Sequence, residues 1–316
     1  MNPQALEAYL LGRFHWNKRT PEAFTLALAE FERAVAIDPQ YAPAYAGIAD
    51  AYAVMMDYNL MPARQTLPKA EEAARRALEI DETLAEAHVS LAWLMVGGLE
   101  LDEAERGFQR GLELNPGYAT GHHWYALFLA TLGRTDDALR EIRRAQELEP
   151  LSLIISANSA WCLYLGRRFD EAIAQAQRTI KLDPSFAVAH EYLAQAFAAQ
   201  GRFDEAIAEM QRAVALSPGT QSYRAELAAL YAFADRKKEA QGLLSELLTE
   251  TRYVSPYDVA VIYVGLGNKD EAIRQLDEAW ERRGVRLAYM KVHPWFDSLR
   301  TDPRFQKMLG RLSTPR

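Results

Sequence analysis

The groups in this chain that could do chemistry are six histidines, one cysteine and a surplus of carboxylates, and their spacing decides what they can do. His88, His122 and His190 fall at multiples of one sequence interval, with His123 beside the second of them. A metal needs ligands that converge on a point, whereas residues recurring once per interval are spread along a stack, so packing is the reading for these rings. His190-Glu191 opens like the helix of a zinc protease, but Ala194 stands where the second histidine is required. Gly265-Leu266-Gly267-Asn268-Lys269 is a scrap of a phosphate loop without the preceding strand, and it reads as a turn. Cys162 is alone, which excludes an internal disulfide and a cysteine-ligated zinc. Beside Trp161 on an apolar flank, it reads as an inert buried thiol. No Ser/His/Asp set or carboxylate pair stands out. The expectation is a non-enzyme without cofactor or metal.

Charge and hydropathy narrow the partners. The chain has 36 Lys and Arg against 43 Asp and Glu, a net charge of -7, which argues against following a nucleic-acid backbone. Doublets such as Arg143-Arg144, Arg167-Arg168 and Lys237-Lys238 read as solvated faces. No apolar run reaches the roughly 18 residues of a membrane span, so membrane insertion is not expected. The opening Met1-Asn2-Pro3-Gln4-Ala5 lacks the basic and apolar regions of a signal peptide, and a cytoplasmic location is expected. A length of 316 residues suggests two domains, but an internal repeat overrides that prior.

Pro116, Pro150, Pro184 and Pro218 are 34 residues apart, each closing a phrase such as Leu-Glu-Leu-Asn-Pro. Pro39 closes Val-Ala-Ile-Asp-Pro, and Glu82 ends the same phrase 43 residues later, the interval plus a nine-residue insertion. Taking the proline as repeat position 32, position 20 is Ala27, Ala70, Ala104, Ala138, Ala172, Ala206, Ala240 and Ala272. Position 8 is Gly12, Ala49, Ala92, Ala126, Ala160, Ala194, Ala228 and Ala260. Small residues in register mark helices that cross at close range. Between them, phrases such as Gly201-Arg202-Phe203-Asp204-Glu205 supply a turn: glycine ends one helix, and acids open the next. Proline then stops the second helix. The insertion, around Met55-Met56-Asp57-Tyr58-Asn59-Leu60-Met61-Pro62, reads as an adaptable apolar loop that either contacts a ligand or folds over its neighbours.

This pattern resembles the tetratricopeptide repeat family over nearly the whole chain, best in residues 187–218 with Leu193, Ala194, Phe197, Gly201, Phe203, Ala206, Ala213 and Pro218. Departures are His88, His122, Ser156 or His190 at position 4, and Arg252 and Gly284 at position 32. Asn2–Glu22, His122-His123-Trp124-Tyr125-Ala126, Arg252–Asp258 and Asp302-Pro303-Arg304-Phe305 further resemble repeat modules of bacterial signalling proteins. In those relatives the module follows a winged-helix, Ser/Thr kinase or nucleotide cyclase domain, none of which is in this sequence. The resemblance implies an all-α, right-handed superhelical solenoid of eight hairpins in one domain. The repeats are placed at about 2–39, 42–82, 85–116, 119–150, 153–184, 187–218, 221–252 and 253–284, with a cap over 285–316. Phe305, Met308, Leu309 and Leu312 form the cap's apolar stripe, with Lys307, Arg311 and Arg316 pointing away. Some relatives tether such modules beyond a membrane, so an extracytoplasmic sensor is the alternative location.

In that architecture positions 2, 5, 9, 12 and 13 of each first helix line a concave groove, with position 6 at its margin. The candidate binding residues are then Tyr9, Arg13, Trp16, Asp50, Trp93, His123, Trp124, Asn158, Trp161, Tyr164, Glu191 and Gln195. Glu86, Tyr192, Glu226, Tyr257 and Asp258 lie in the groove or at its margin. Exposed rings on a concave surface call for something to cover them, although the same rings could merely seal seams between repeats. Arg13 is the one cation among several acids. A clamp for an acidic peptide is therefore not expected, and a neutral or basic extended segment fits better. The expected function is non-catalytic protein or peptide binding, as the docking or sensory part of a signalling protein. The alternatives are sensing of a small sugar-like ligand in the same groove, or homotypic assembly.

Overall fold

The computed structural model describes residues 2–282 and 285–312, with only the backbone of residue 285. Gly284 and Arg316, and with them the expected end of the last repeat and of the cap, lie outside the described residues. Sixteen helices pair in sequence: α1 Pro3–Trp16 with α2 Pro21–Ile37, α3 Ala42–Asp57 with α4 Ala63–Ile80, α5 Ala85–Gly98 with α6 Leu101–Leu114, and α7 Ala119–Thr131 with α8 Thr135–Leu148. The second half continues with α9 Leu153–Leu165 and α10 Phe169–Leu182, α11 Ala187–Ala199 and α12 Phe203–Leu216, α13 Gln221–Phe233 and α14 Lys237–Thr249, and α15 Pro256–Gly265 and α16 Lys269–Glu281. Two short 3-10 segments, Val285–Lys291 and Pro294–Leu299, lead to α17, Pro303–Leu312. No strand occurs among the described residues. The chain is an all-α solenoid of helical hairpins.

The small residues are where the crossings are. All eight position-20 alanines are 0% exposed, and so are most of those at position 8. Where glycine replaces alanine at position 8, a larger neighbour fills the space: a Cβ on Gly12 would lie 2.5 Å from the Phe31 ring, whose other side meets Gly47 of α3, where a Cβ would lie 2.7 Å from it. Each proline of the 34-residue series lies two residues past the last helical residue, where its missing N–H costs nothing.

Each hairpin turns through one residue in left-handed conformation: Arg19, Asn59, Leu99, Gly133, Arg167, Gly201, Asp235 and Gly267. Only three of these are glycine, so the turn is imposed by the packing of the helices it joins as much as by residue preference. Of the second unit's insertion, residues 55–57 close α3 and residues 58–62 form the connecting loop. The unit's extra length also extends α3 and α4, and the loop folds over its neighbours, with Met55, Met56 and Asn59 buried.

Each position-4 histidine ties its helix to the end of the preceding repeat. Nε2 of His88, His122 and His190 lies 2.9, 3.0 and 2.9 Å from the carbonyl oxygens of Glu82, Pro116 and Pro184. In two of them Nδ1 meets a carboxylate of the second helix, Glu141 or Glu209, at 2.6 Å. The C-terminal part does two jobs. Phe305, Met308 and Leu312 of α17 are buried, Phe305 stacks on Phe296, and Arg304 reaches Asp270 of α16 at 2.8 Å, closing the last repeat. The 3-10 segments before it turn back across the concave side, as far as α3, α5 and α7.

Candidate functional site

Four of the sequence-derived residues form a seam near the start of the stack. Nη1 of Arg13 in α1 donates to Asp50 Oδ2 of α3 at 2.8 Å, and Ser90 Oγ of α5 donates to Asp50 Oδ1 at 2.5 Å. The Arg13 guanidinium lies 4.3 Å from the Trp16 ring centroid, and the Trp16 indole N–H donates to the Asp50 carbonyl at 3.4 Å. Tyr9 sits between Phe31 and Tyr41, and burial pushes its hydroxyl up to about 12. Burial also pushes Asp50 up, against the pull of Arg13 and Ser90. These side chains satisfy one another across the first three hairpins.

Further along, seven others converge on an internal cavity of ≈ 110 Å³: Trp93, His123, Trp124, Asn158, Trp161, Glu191 and Gln195. Trp124 lies 5.6 Å from Trp93 and 6.2 Å from Trp16, ring centre to ring centre. Asn158 Nδ2 donates to His123 Nε2 at 2.7 Å, which leaves the histidine proton on Nδ1, and Tyr192 donates to Asn158 Oδ1 at 2.8 Å. Burial first, then the nearby Arg19 charge, pushes His123 down to about 3, so it is neutral. Gln195 Nε2 donates to Glu226 at 2.7 Å. Burial, then the Glu226 carboxylate, holds Glu191 well above the usual carboxylate range. Burial likewise pushes Asp57, which accepts the Trp93 indole N–H at 2.9 Å, up to about 7. Tyr164 does not reach the cavity; it is fully buried behind Trp161, with the ring centres 5.2 Å apart.

The open groove expected from the repeat register is corrected here: the chain's own 285–299 segment roofs it. Arg286 Nη1 lies 3.3 Å from Glu226 Oε1 and 3.2 Å from Asp258 Oδ1, and Nη2 donates to the Asp57 carbonyl at 3.3 Å. Tyr289 and His293 cover Trp161, at 5.6 and 5.5 Å. Arg167, read from sequence as a solvated cation, forms a two-pronged bridge to Asp297 at 2.7 and 2.6 Å. Asn59, at the second hairpin turn, donates to Asp258 Oδ2 of α15 at 2.8 Å, so the stack closes back on its beginning. Ten of the twelve predicted residues are buried, and Tyr9 and Arg13 are partly so. Two of the groove acids, Glu226 and Asp258, already face Arg286, and Asp50 faces Arg13.

Sequence reasoning missed Arg19, Asp57, Arg286, Tyr289 and His293, all of which line the cavity. Arg19 and Asp57 sit at hairpin ends, outside the counted positions, and the other three lie beyond the last repeat. The nine-residue insertion was the one local signal, since it carries Asp57 and Asn59. Cys162 is buried, and burial pushes its thiol up to about 12, which leaves it a poor nucleophile at neutral pH. Gly267 and Asn268 form the α15–α16 turn, with the Asn268 side chain accepting from Glu271 N–H at 3.2 Å.

Stacked hairpins wrapped around a lined lumen define a helical-repeat solenoid. Residues 163–220 match the family described as Tetratricopeptide repeat. Among solved structures, the human IFIT1 dimer with PPP-AAAA is similar, at a TM-score of 0.63 and 18% identity, covering 83% of this chain and 69% of that one. YrrB, titled a TPR protein with an unusual peptide-binding site, shares 22% identity over 60% of this chain and 92% of its own, with a TM-score of 0.38. Pseudomonas aeruginosa pilF shares 18% identity over 63% and 90%, with a TM-score of 0.45. The last two superpose too loosely to argue from, and the first bears on fold alone. No curated protein sequence matches this chain. No helix among the described residues is long and apolar enough to cross a membrane.

Proposed function

We propose that the chain is a non-catalytic protein-binding module, the docking or sensory part of a bacterial signalling protein, whose concave side holds a polypeptide segment. The observation that carries this reading is that the concave side already holds one. The 285–299 segment lies there with a guanidinium between Glu226 and Asp258 and, three residues on, a tyrosine ring against Trp161. A partner segment with the same chemistry, basic and aromatic, competes for the same place. An acidic segment would meet Glu226 and Asp258 and be repelled.

The test is a labelled peptide with the sequence of residues 285–299, titrated by fluorescence anisotropy against the full chain and against its Tyr289→Ala variant. Binding to the variant, weaker binding to the parent, and loss on adding Trp161→Ala are the expected outcomes. A peptide that binds neither protein refutes the reading. Sensing of a small ligand is a second reading, favoured by the lined cavity of ≈ 110 Å³. Leu10 and Phe14, four residues apart on α1 and 56% and 57% exposed, are the apolar surface that self-association would use, and light scattering at two concentrations tests it.

A further inference from the structure

We propose that the Nε and Nη2 edge of Arg19 is the receptor for the carboxylate of a small hydroxy or amino acid enclosed in the solenoid. The proposal rests on the small-ligand reading and names the chemistry of that ligand. Arg19 is 6% exposed and lines the cavity, yet both of these nitrogens are buried without a hydrogen-bond partner among the described residues. No described carboxylate forms an ion pair with it, although Arg13 and Arg286 each have one. Its guanidinium lies 3.6 Å from the Trp16 ring centroid, which holds the plane in place but satisfies neither N–H.

The two orphaned donors are the ones that point the same way, the fork that accepts a carboxylate side-on. This chain fills that fork elsewhere: Arg168 Nε and Nη2 meet the two Glu171 oxygens at 2.6 and 2.5 Å, and Arg202 meets Glu205 at 2.7 and 2.5 Å. Burying an uncompensated cation is costly, so an anion supplied from outside is the missing partner. A second orphan in the same cavity describes the rest of the ligand. Gln195 Oε1 is buried without a donor, so the acid carries a hydroxyl or an ammonium. The size agrees: ≈ 110 Å³ compares with the roughly 150 Å³ cavity that takes one benzene. The nearby acids Asp57, Glu191 and Glu226 favour a single negative charge over a phosphate dianion.

The experiment is a thermal-shift titration of the full chain at constant ionic strength with lactate, alanine, lactamide, inorganic phosphate, chloride and glucose. Lactate or alanine should raise the midpoint saturably, while lactamide and chloride should not. Arg19→Gln should abolish the response and, without ligand, leave the midpoint equal to or above the parent's, because an unpaired charge is gone. Arg19→Lys, which keeps the charge and loses the fork, should weaken apparent affinity at least about tenfold and serves if Arg19→Gln does not fold. Carboxylates that act no differently from chloride, with Arg19→Gln lowering the midpoint, would make Arg19 a structural partner of Trp16 and overturn the proposal. A phosphate response exceeding that of lactate overturns the assignment of a carboxylate. A glucose response that survives Arg19→Gln while the acids fail also overturns it, but leaves ligand sensing standing.

Discussion

Replacing Arg286 by methionine keeps most of the buried stem and deletes the charge that joins the 285–299 segment to three helices. In the folded chain that guanidinium faces Glu226 and Asp258, which are nearly inaccessible, and the Asp57 carbonyl. Stripping one partner from a buried ion pair costs about 3–5 kcal/mol when the orphaned charge cannot escape. Here Asp258 can escape by taking up a proton. Burial, opposed by Arg286, already pushes it from 3.8 up to about 6. The penalty from Asp258 therefore cannot exceed about 1.4 kcal/mol for each pH unit above 6. That limit is near zero at pH 5.5 and about 2.7 kcal/mol at pH 8. A carboxylate whose folded pKa is raised is stabilising below its unfolded value and loses that stability as pH rises through the folded value. Removing the cation raises the folded value further, so the loss continues to higher pH. The variant should cost roughly 3–5 kcal/mol at pH 8 and about 1–2 kcal/mol at pH 5.5. Urea unfolding followed by tryptophan fluorescence and far-ultraviolet circular dichroism at both pH values measures this. Amide exchange over residues 285–299 should accelerate in parallel at pH 8. An equal cost at the two pH values, or unchanged exchange in the segment, would refute the reasoning.

Other consequences can be measured on the same material. Asp57, pushed up to about 7, and Asp258 gain stability as pH falls, in near balance with His123 and His293, both pushed down to about 3 by burial, which lose it below about 6.5; Glu191, also pushed up, then leaves the parent more stable at pH 5 than at pH 8. Asp57→Asn breaks that balance: relative to the parent it should lose about 2.7 kcal/mol between pH 8 and pH 5, and a parallel pair of pH–stability curves would contradict the assignment. Gly12→Ala places a Cβ 2.5 Å from the Phe31 ring, which Gly47 prevents from retreating, so the thermal midpoint should fall by the equivalent of about 1–3 kcal/mol despite the better helix former. Ala172→Leu, at a fully buried crossing, should cost at least as much, whereas Leu182→Ala on the exposed side should change the midpoint little.

Everything that depends on neighbours about one repeat apart could be read from the order of amino acids alone. Alanines at positions 8 and 20, prolines at position 32 and acids opening each second helix are local demands of two rods crossing, so the eight hairpins and their order were legible. The histidines at position 4 were read as packing for the same reason, although the carbonyl each one binds became visible only with the fold. Within the site, the register found Trp93, Trp124, Trp161, Asn158 and Gln195 because they recur at fixed steps along first helices. It could not tell that their surface is covered. Tertiary structure decided that, by bringing Arg286 to the Asp57 carbonyl across 229 residues and Asn59 to Asp258 across 199. It also placed left-handed turns on Arg19, Leu99 and Arg167, which favour no such conformation. The physical reason is the small rotation between successive repeats. No single repeat encodes its sum, yet that sum decides whether the first hairpins and the last meet around a lumen and which side chains are left inside it without partners.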